Sequence, residues 1–306
     1  MAETPDPTSG SAPDPTPGRI PGPASGEPSA KPPAQDTPAQ ETPTMDTPPG
    51  EPSAGDAFGG PSPDRVVSDA VTDVAGRATL PLQAARADRN FGTAFWYNDL
   101  IEVDDDRETI RQYLVTTEPH TRYEIGQFTL REGLISPELP ADELVLPGFS
   151  RKWFRIEELG VAVMPTVDLH LHGERKGWTW SVQEVTDGLA ARPEDIEALG
   201  PEPLPAYLLG HEVTEPDSRH PGRPQTLLAG TVTRDAEGVV RWDGPLPEGC
   251  AGAPVFAGLP HEQGLKLVCL GLVRPGEPAT LVTFDMLRPA IHHLSPGRRR
   301  HWWQRG

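Results

Sequence analysis

The chain has 306 residues, 38 prolines and a formal net charge of −18. Seventeen of the prolines precede Asp64, in a stretch almost free of large apolar residues, so about 240 residues are left to bury a core. The acidic excess repels phosphate backbones and anionic lipid, so neither nucleic acid nor membrane is an expected partner; no run approaches the roughly 20 apolar residues that span a bilayer.

Residues 1–63 alternate Pro with Thr, Ser, Ala, Gly and acids, as in TPDPTSGSAPDPTPG. Such a segment buries too little apolar surface to offset its ordering entropy, and it is expected to be a disordered acidic tether with polyproline character. It has neither a basic region nor an apolar signal core, so the mature chain is expected to begin at or near Met1. The cysteines are Cys250 and Cys269, expected to be reduced, buried thiols of a cytoplasmic protein.

The folded domain is assigned to residues 64–295. Val66, Val67, Ala70, Val71, Val74 and Ala75 recur near a 3.6 period behind the N-cap candidates Ser62 and Asp64, which predicts a helix over 64–76. Short β-prone runs separated by Gly, Pro, Asp and Asn follow: FGTAFWY, RQYLVTT, RYEIGQFTL, LGVAVMPTV, TWSVQEV, AYLLGHEV, QTLLAGTVT, GVVRWD, APVFAG, LKLVCLGLV and TLVTFDM. They indicate an all-β barrel or sandwich. Asp104, Asp105 and Asp106 lack the spaced oxygens of a calcium loop and read as a hairpin tip. VDLHLHGE reads as a strand with Asp168, His170 and His172 on one face. No fourth ligand is evident, so an exposed polar face is expected rather than zinc. A helix is predicted at PEDIEALG, from Pro193 to Gly200, and a second at MLRPAIHHL despite Pro289; His292 and His293 read as a surface pair. Residues 296–306 reverse the charge, with three consecutive arginines, Trp302, Trp303 and Arg305 forming a tail that either binds a partner or lies on the acidic domain. No phosphate-loop motif occurs, and no cofactor or metal is expected.

The order of these segments resembles the trypsin-like (chymotrypsin-fold) serine peptidase family. Gly92-Thr93-Ala94-Phe95 stands for its opening GTGF strand. Tyr113-Leu114-Val115-Thr116-Thr117-Glu118-Pro119-His120 stands for LVTxxH, and Leu159-Gly160-Val161-Ala162-Val163-Met164-Pro165 for DVAVLPL. Ala206–His211 matches the strand like VFVLGHP, Gly249-Cys250-Ala251-Gly252-Ala253-Pro254-Val255-Phe256 matches GxSGxPVF, and Val268–Val273 matches VVGIV. The resemblance covers about Phe91 to Leu294 and implies two six-stranded antiparallel barrels with a site in the cleft between them.

Transferred residue by residue, the family's triad is degenerate here. The general-base position falls on Pro119, the orienting carboxylate on Gly160 and the nucleophile on Ala251. None supplies an attacking atom, a base or a base-orienting group. Gly249 and the Ala251 amide are the remnant of an oxyanion hole. Pro245, at the implied base of the specificity pocket, suggests no charged-side-chain selectivity. The fallback is a displaced dyad of Cys250 and His120, each one residue out of register, with Glu157 and Glu158 near the lost carboxylate; a one-residue slip turns a strand side chain to the opposite face. The resemblance therefore implies a pseudoprotease that binds a peptide or protein partner, with an active hydrolase using Cys250 and His120 as the alternative. A third class is a structural domain whose tails alone bind. The Ala, Pro, Gly and Arg richness suggests a high-GC bacterial source.

Overall fold

The computed structural model describes residues 62–85, 90–104, 107–138, 143–216, 222–262 and 264–294, all within one compact unit, Asp56–Gly306. Residues 1–61 of the predicted tether and the basic aromatic tail lie outside the described residues, while Ser62 and Pro63 belong to the first helix.

The first element is helix α1 (Pro63–Ala75). Pro63 opens it, and Ser62 Oγ accepts from Arg65 N at 3.4 Å, satisfying one of the orphan donors of the first turn. Of the predicted apolar stripe, Val67, Val71 and Ala75 are buried and Val66 and Val74 face solvent.

The first sheet is built from β1 (Thr79–Ala84), β2 (Gly92–Asp104), β3 (Arg107–Thr117), β4 (Ile125–Thr129), β6 (Glu143–Pro147), β7 (Phe154–Ile156) and β8 (Val161–Pro165). It is antiparallel, curled, and ordered β6-β4-β1-β2-β3-β8-β7, so seven strands stand where six were expected. β5 (Ile135–Ser136) pairs separately with β9 (Thr179–Trp180). Asp104 pairs with Arg107, and the tip expected at Asp105 and Asp106 lies outside the described residues.

The second sheet closes into a six-stranded barrel, β10 (Leu204–His211), β11 (Gln225–Arg234), β12 (Val240–Asp243), β15 (Ala279–Thr283), β14 (Gly264–Arg274) and β13 (Pro254–His261). The chain is thus all-β with paired antiparallel barrels, as expected.

Three expectations need correction. VDLHLHGE is not a strand but the start of helix α2 (Val167–Lys176). Its Val167, Leu169 and Leu171 alternate like a strand, yet only Leu169 is buried. The decisive signals are at the end: Gly177, left-handed at φ 80°, caps the helix, and Gly173 lies where a Cβ would come 2.8 Å from the Trp178 carbonyl oxygen. The helix turns His170 away from Asp168 and His172, which stay one turn apart on a common face with different partners. Asp168 pairs with Lys152 (3.0 Å), His170 with Gln112 (2.7 Å), and His172 lies against the Trp178 ring. Second, the run TWSVQEV forms only the two residues of β9, with Val185 bridging to Tyr97. Third, the helix at PEDIEALG, α3 (Pro193–Glu197), stops before Gly200. The helix at MLRPAIHHL, α4 (Phe284–His293), begins at Phe284 and carries Pro289 inside it.

The strand runs read as nearly continuous apolar stretches because β2 is buried on both faces. Ala94 and Trp96 join the core of the first barrel, while Phe95 and Tyr97 join a core between the barrels, as period-two alternation requires. That shared core also receives Val67, Val71 and Ala75 from α1 and Leu287 and Ile291 from α4. Helix α1 crosses to the other barrel, and α4 sits on β14 and β15 of its own barrel while reaching the first sheet. α1 lies on β10, β13 and β14 of the second barrel, where Tyr207 Oη donates to Asp64 O at 2.9 Å. From α4, Phe284 packs against Phe95 and Tyr97 of the first sheet.

Candidate functional site

Five loops or strand ends meet between the barrels: the start of β2, the 3₁₀ turn Glu118–Thr121, the turn at Gly160, the loop into β13, and the end of β14. Thr93 ties them together. Its N–H donates to Ala251 O (2.9 Å) and its Oγ1 to Gly249 O (2.7 Å), while its carbonyl accepts from Thr116 Oγ1 (2.7 Å). Gly252, at φ 87°, makes this closeness possible, since a Cβ there would sit 2.5 Å from Thr93 O and 2.6 Å from Thr116 Oγ1. On the far side, Glu118 N–H donates to Gly160 O at 2.9 Å.

The loops that carry Pro119, Gly160 and Ala251, the positions expected to hold a triad, therefore adjoin one another. Pro119 is exposed, and Gly160 and Ala251 are partly exposed. They present a pyrrolidine ring, a hydrogen and a methyl group, none of which moves a proton or attacks a carbonyl. Gly160 is left-handed (φ 64°) and caps the 3₁₀ turn that holds exposed Glu157 and Glu158. The space beside it is taken by Arg274, whose Nη1 lies 3.6 Å from where a Gly160 Cβ would be. Arg274 donates to Leu159 O (3.3 Å) and Thr280 Oγ1 (3.4 Å). A cation thus lies beside the position to which the resemblance assigns an orienting carboxylate. The one buried carboxylate of the base turn, Glu118, faces Arg122 (2.6 Å) and Arg155 (3.3 Å) instead.

Cys250 and His120 occupy different surroundings. Cys250 is fully buried in the core of the second barrel, its sulfur against Gly210. Burial pushes its thiol up to about 12, so the nucleophilic thiolate is suppressed. His120 packs on Gly92, with Nδ1 2.7 Å from Thr117 Oγ1 and a further hydrogen bond to the Phe91 backbone. Burial, helped by the charge of Arg223, lowers it to about 4. No hydrogen bond joins Cys250 to His120 among the described residues. Pro245 is exposed, and its carbonyl accepts from Trp242 Nε1 (3.2 Å).

Behind the cleft runs a polar seam that sequence reasoning missed. Buried Arg223 donates to Gly92 O (2.8 Å), Leu82 O (3.4 Å) and Gln83 Oε1 (3.4 Å), and stacks 5.0 Å above the Phe91 ring. Desolvation lowers it to about 10. His211 Nδ1 lies 3.2 Å from Arg223 O, an acceptor, so Nδ1 carries the proton and Nε2 accepts from Thr79 Oγ1 at 3.0 Å. Gln225 donates to the same Thr79 oxygen (2.6 Å). Burial holds His211 neutral, at about 3. Only the match of AYLLGH to the family's LGHP strand drew attention to this histidine. Arg274 had a signal too, as the residue directly after the VVGIV-like strand.

His292 is more than a surface residue: its Nε2 reaches 3.4 Å from Asp99 Oδ1, and Asp99 is wholly buried on β2. Burial raises the Asp99 carboxyl above its ordinary value, with His292 opposing. Both cysteines are unpaired and buried, and among the described residues no trio of His, Cys, Asp or Glu could hold a metal. No described helix is long and apolar enough to cross a membrane.

No protein-family model matches the chain, and no curated protein matches it in sequence. Among solved structures it is similar to Deg5, with a TM-score of 0.45 and 12% identity over 74% of this chain and 92% of that one. The catalytically active tobacco etch virus protease complexed with product gives 0.40 and 7% over 78% and 83%. A scabies mite inactivated protease paralogue gives 0.42 and 10% over 73% and 94%. At such identities a likeness extends to fold alone, and the paired barrels are established by their own strand pairing.

Proposed function

We propose that this chain is a catalytically inactive, trypsin-like domain that holds a peptide or protein segment in the cleft between its barrels without cutting it. The observation that carries the reading is Arg274 beside Gly160, a fixed cation where triad chemistry needs a carboxylate. Pro119 and Ala251 in the same cleft supply neither base nor nucleophile, and oxyanion donors alone leave only residual catalysis. The displaced dyad is disfavoured because the Cys250 sulfur faces Gly210 in the second barrel while His120 is bonded within the first. A cleft of this kind binds an extended segment by shape and main-chain hydrogen bonding, and exposed Arg274 favours an acidic side chain or terminus at that point. The reduced thiols suit an adaptor or sensor in the cytoplasm.

The test combines peptide libraries with reactive probes on the full chain. We expect no cleavage, no labelling of Cys250 by thiol reagents, and a retained peptide whose affinity drops about tenfold in Arg274→Glu, the loss of roughly one charged contact. Cleavage that disappears in Cys250→Ala would rescue the hydrolase. Binding that survives Arg274→Glu but disappears when residues 1–63 or 296–306 are deleted would move the function to the tails.

A further inference from the structure

A second concave surface lies at the end of the second barrel opposite the cleft. Strand β13 leaves the cleft at Pro254 and reaches this end at Leu259, while β14 starts here and runs back to Arg274. Between these strand ends, the start of β10 and helix α3 lies a groove of about 470 Å³. That volume falls in the range of about 300–1,000 Å³ typical of binding pockets. Its floor is apolar, made by Leu204 with buried Leu199 and Leu259.

The walls are already set. Lys266 Nζ donates to both carboxylate oxygens of Asp195 at 2.8 Å, and Asp195 Oδ2 also accepts from Arg192 N at 2.8 Å. Gly200 O accepts from Arg234 N at 2.7 Å, which ties the exit of α3 to β11. Little ordering is left for a ligand to bring about.

The charge of the groove is not balanced. Glu194, Asp195 and Glu202 line it against one ammonium, Lys266, which Asp195 already neutralises. Glu194 and Glu202 are exposed and enter no ion pair among the described residues. An acidic rim alone specifies no ligand, and neither does an apolar floor. Together they match one kind of side chain, a long cation whose methylene stem lies on leucine while its head reaches carboxylates. Arginine fits best, because its guanidinium makes paired hydrogen bonds to a carboxylate and is weakly hydrated. A chain of net charge −18 also draws cationic segments toward its surface.

We infer that this groove is a second docking site, which takes a partly apolar, arginine- or lysine-bearing peptide segment of a partner protein and sets its cation at Glu194 and Glu202. The site is separate from the cleft and stands whether or not the cleft binds.

The test titrates the full chain against a fluorescein-labelled hexapeptide that alternates leucine and arginine, followed by anisotropy. Counterparts carry glutamine or glutamate in place of arginine. The arginine peptide should bind, and more weakly as salt is raised; the glutamine peptide should bind about tenfold less tightly and the glutamate peptide not at all. Glu194→Gln combined with Glu202→Gln should weaken the arginine peptide about tenfold. Ala198→Arg, at an exposed position of the groove lining, should weaken it comparably by placing the chain's own cation there. Arg274→Glu, in the cleft, should not weaken it. Equal binding of the glutamine peptide, indifference to the paired glutamine substitutions, loss in Arg274→Glu, or no binding at all would overturn the assignment. Sedimentation showing a dimer that Ala198→Arg breaks would give the groove to a second copy, and binding seen only after deletion of residues 296–306 would give it to the chain itself. Either result overturns an external partner.

Discussion

Gly252 separates the cost of a single atom from the chemistry around it. Its φ of 87° and the 2.5 Å approach to Thr93 O leave no room for a methyl group. Gly252→Ala is expected to destabilise the domain by about 1–3 kcal/mol from backbone conformation alone, with the overlap adding to it, as a lower urea midpoint at unchanged slope will show. Its neighbour behaves differently. Ala251 is partly exposed and tolerates a hydroxyl, so Ala251→Ser should leave stability nearly unchanged. It should still fail to react with a fluorophosphonate probe, because Pro119 offers no base. Labelling of that variant at a rate like an active serine hydrolase would show that a base reaches the cleft after all. His120, held near 4 and bonded to Thr117, is a poor proton acceptor at neutral pH.

The elements show which parts of the sequence were legible. Strands such as β2 and β14 were readable because their apolar runs are bounded by turn residues and filled on both faces. Helix α1 was readable from its cap and its 3.6 period, and Ser62→Ala should cost about 1 kcal/mol in thermal or urea unfolding. Helix α2 was not readable from alternation alone, since its Val-x-Leu-x-Leu pattern fits a strand, while the helical signal sits at its end, in Gly173 packed under Trp178 and in the left-handed cap Gly177. The same limit applies to the site. The positions Pro119, Gly160 and Ala251 could be placed from motif order, but Arg274 filling the vacant side of Gly160 depends on where a strand end from the other barrel arrives. Asp99 was invisible in the sequence, being one acid in an acidic chain; its burial against His292 needs α4 to cross onto the first sheet.

Across the whole molecule the polar seam couples stability to pH. The neutral, buried His211 has a folded value near 3 against roughly 6.5 unfolded. As pH falls below the unfolded value the unfolded chain takes up a proton that the folded chain refuses, so this contribution is present above pH 6.5 and is lost toward pH 3. The expected slope is up to about 1.4 kcal/mol per pH unit for one such group. His120, near 4, adds a second loss over the upper part of that window. Raised Asp99 acts in the opposite sense, favouring the folded state at low pH until its carboxyl ionises. Urea titrations from pH 7 to pH 4 should show declining stability, with a shallower decline in His211→Gln even though that variant starts lower. Parallel curves for the two proteins would mean that His211 is already protonated in the native state.

The placement of the terminal helices also dictates an order of events during synthesis. Helix α1 is made before either barrel but seats on strands made more than a hundred residues later, and the first sheet waits for α4, made after both barrels, to cover Phe95 and Tyr97. Neither half is thus a finished object before α4 has been made. Nascent chains arrested after the first barrel should be digested rapidly by protease, and resistance should appear only once α4 has cleared the exit tunnel.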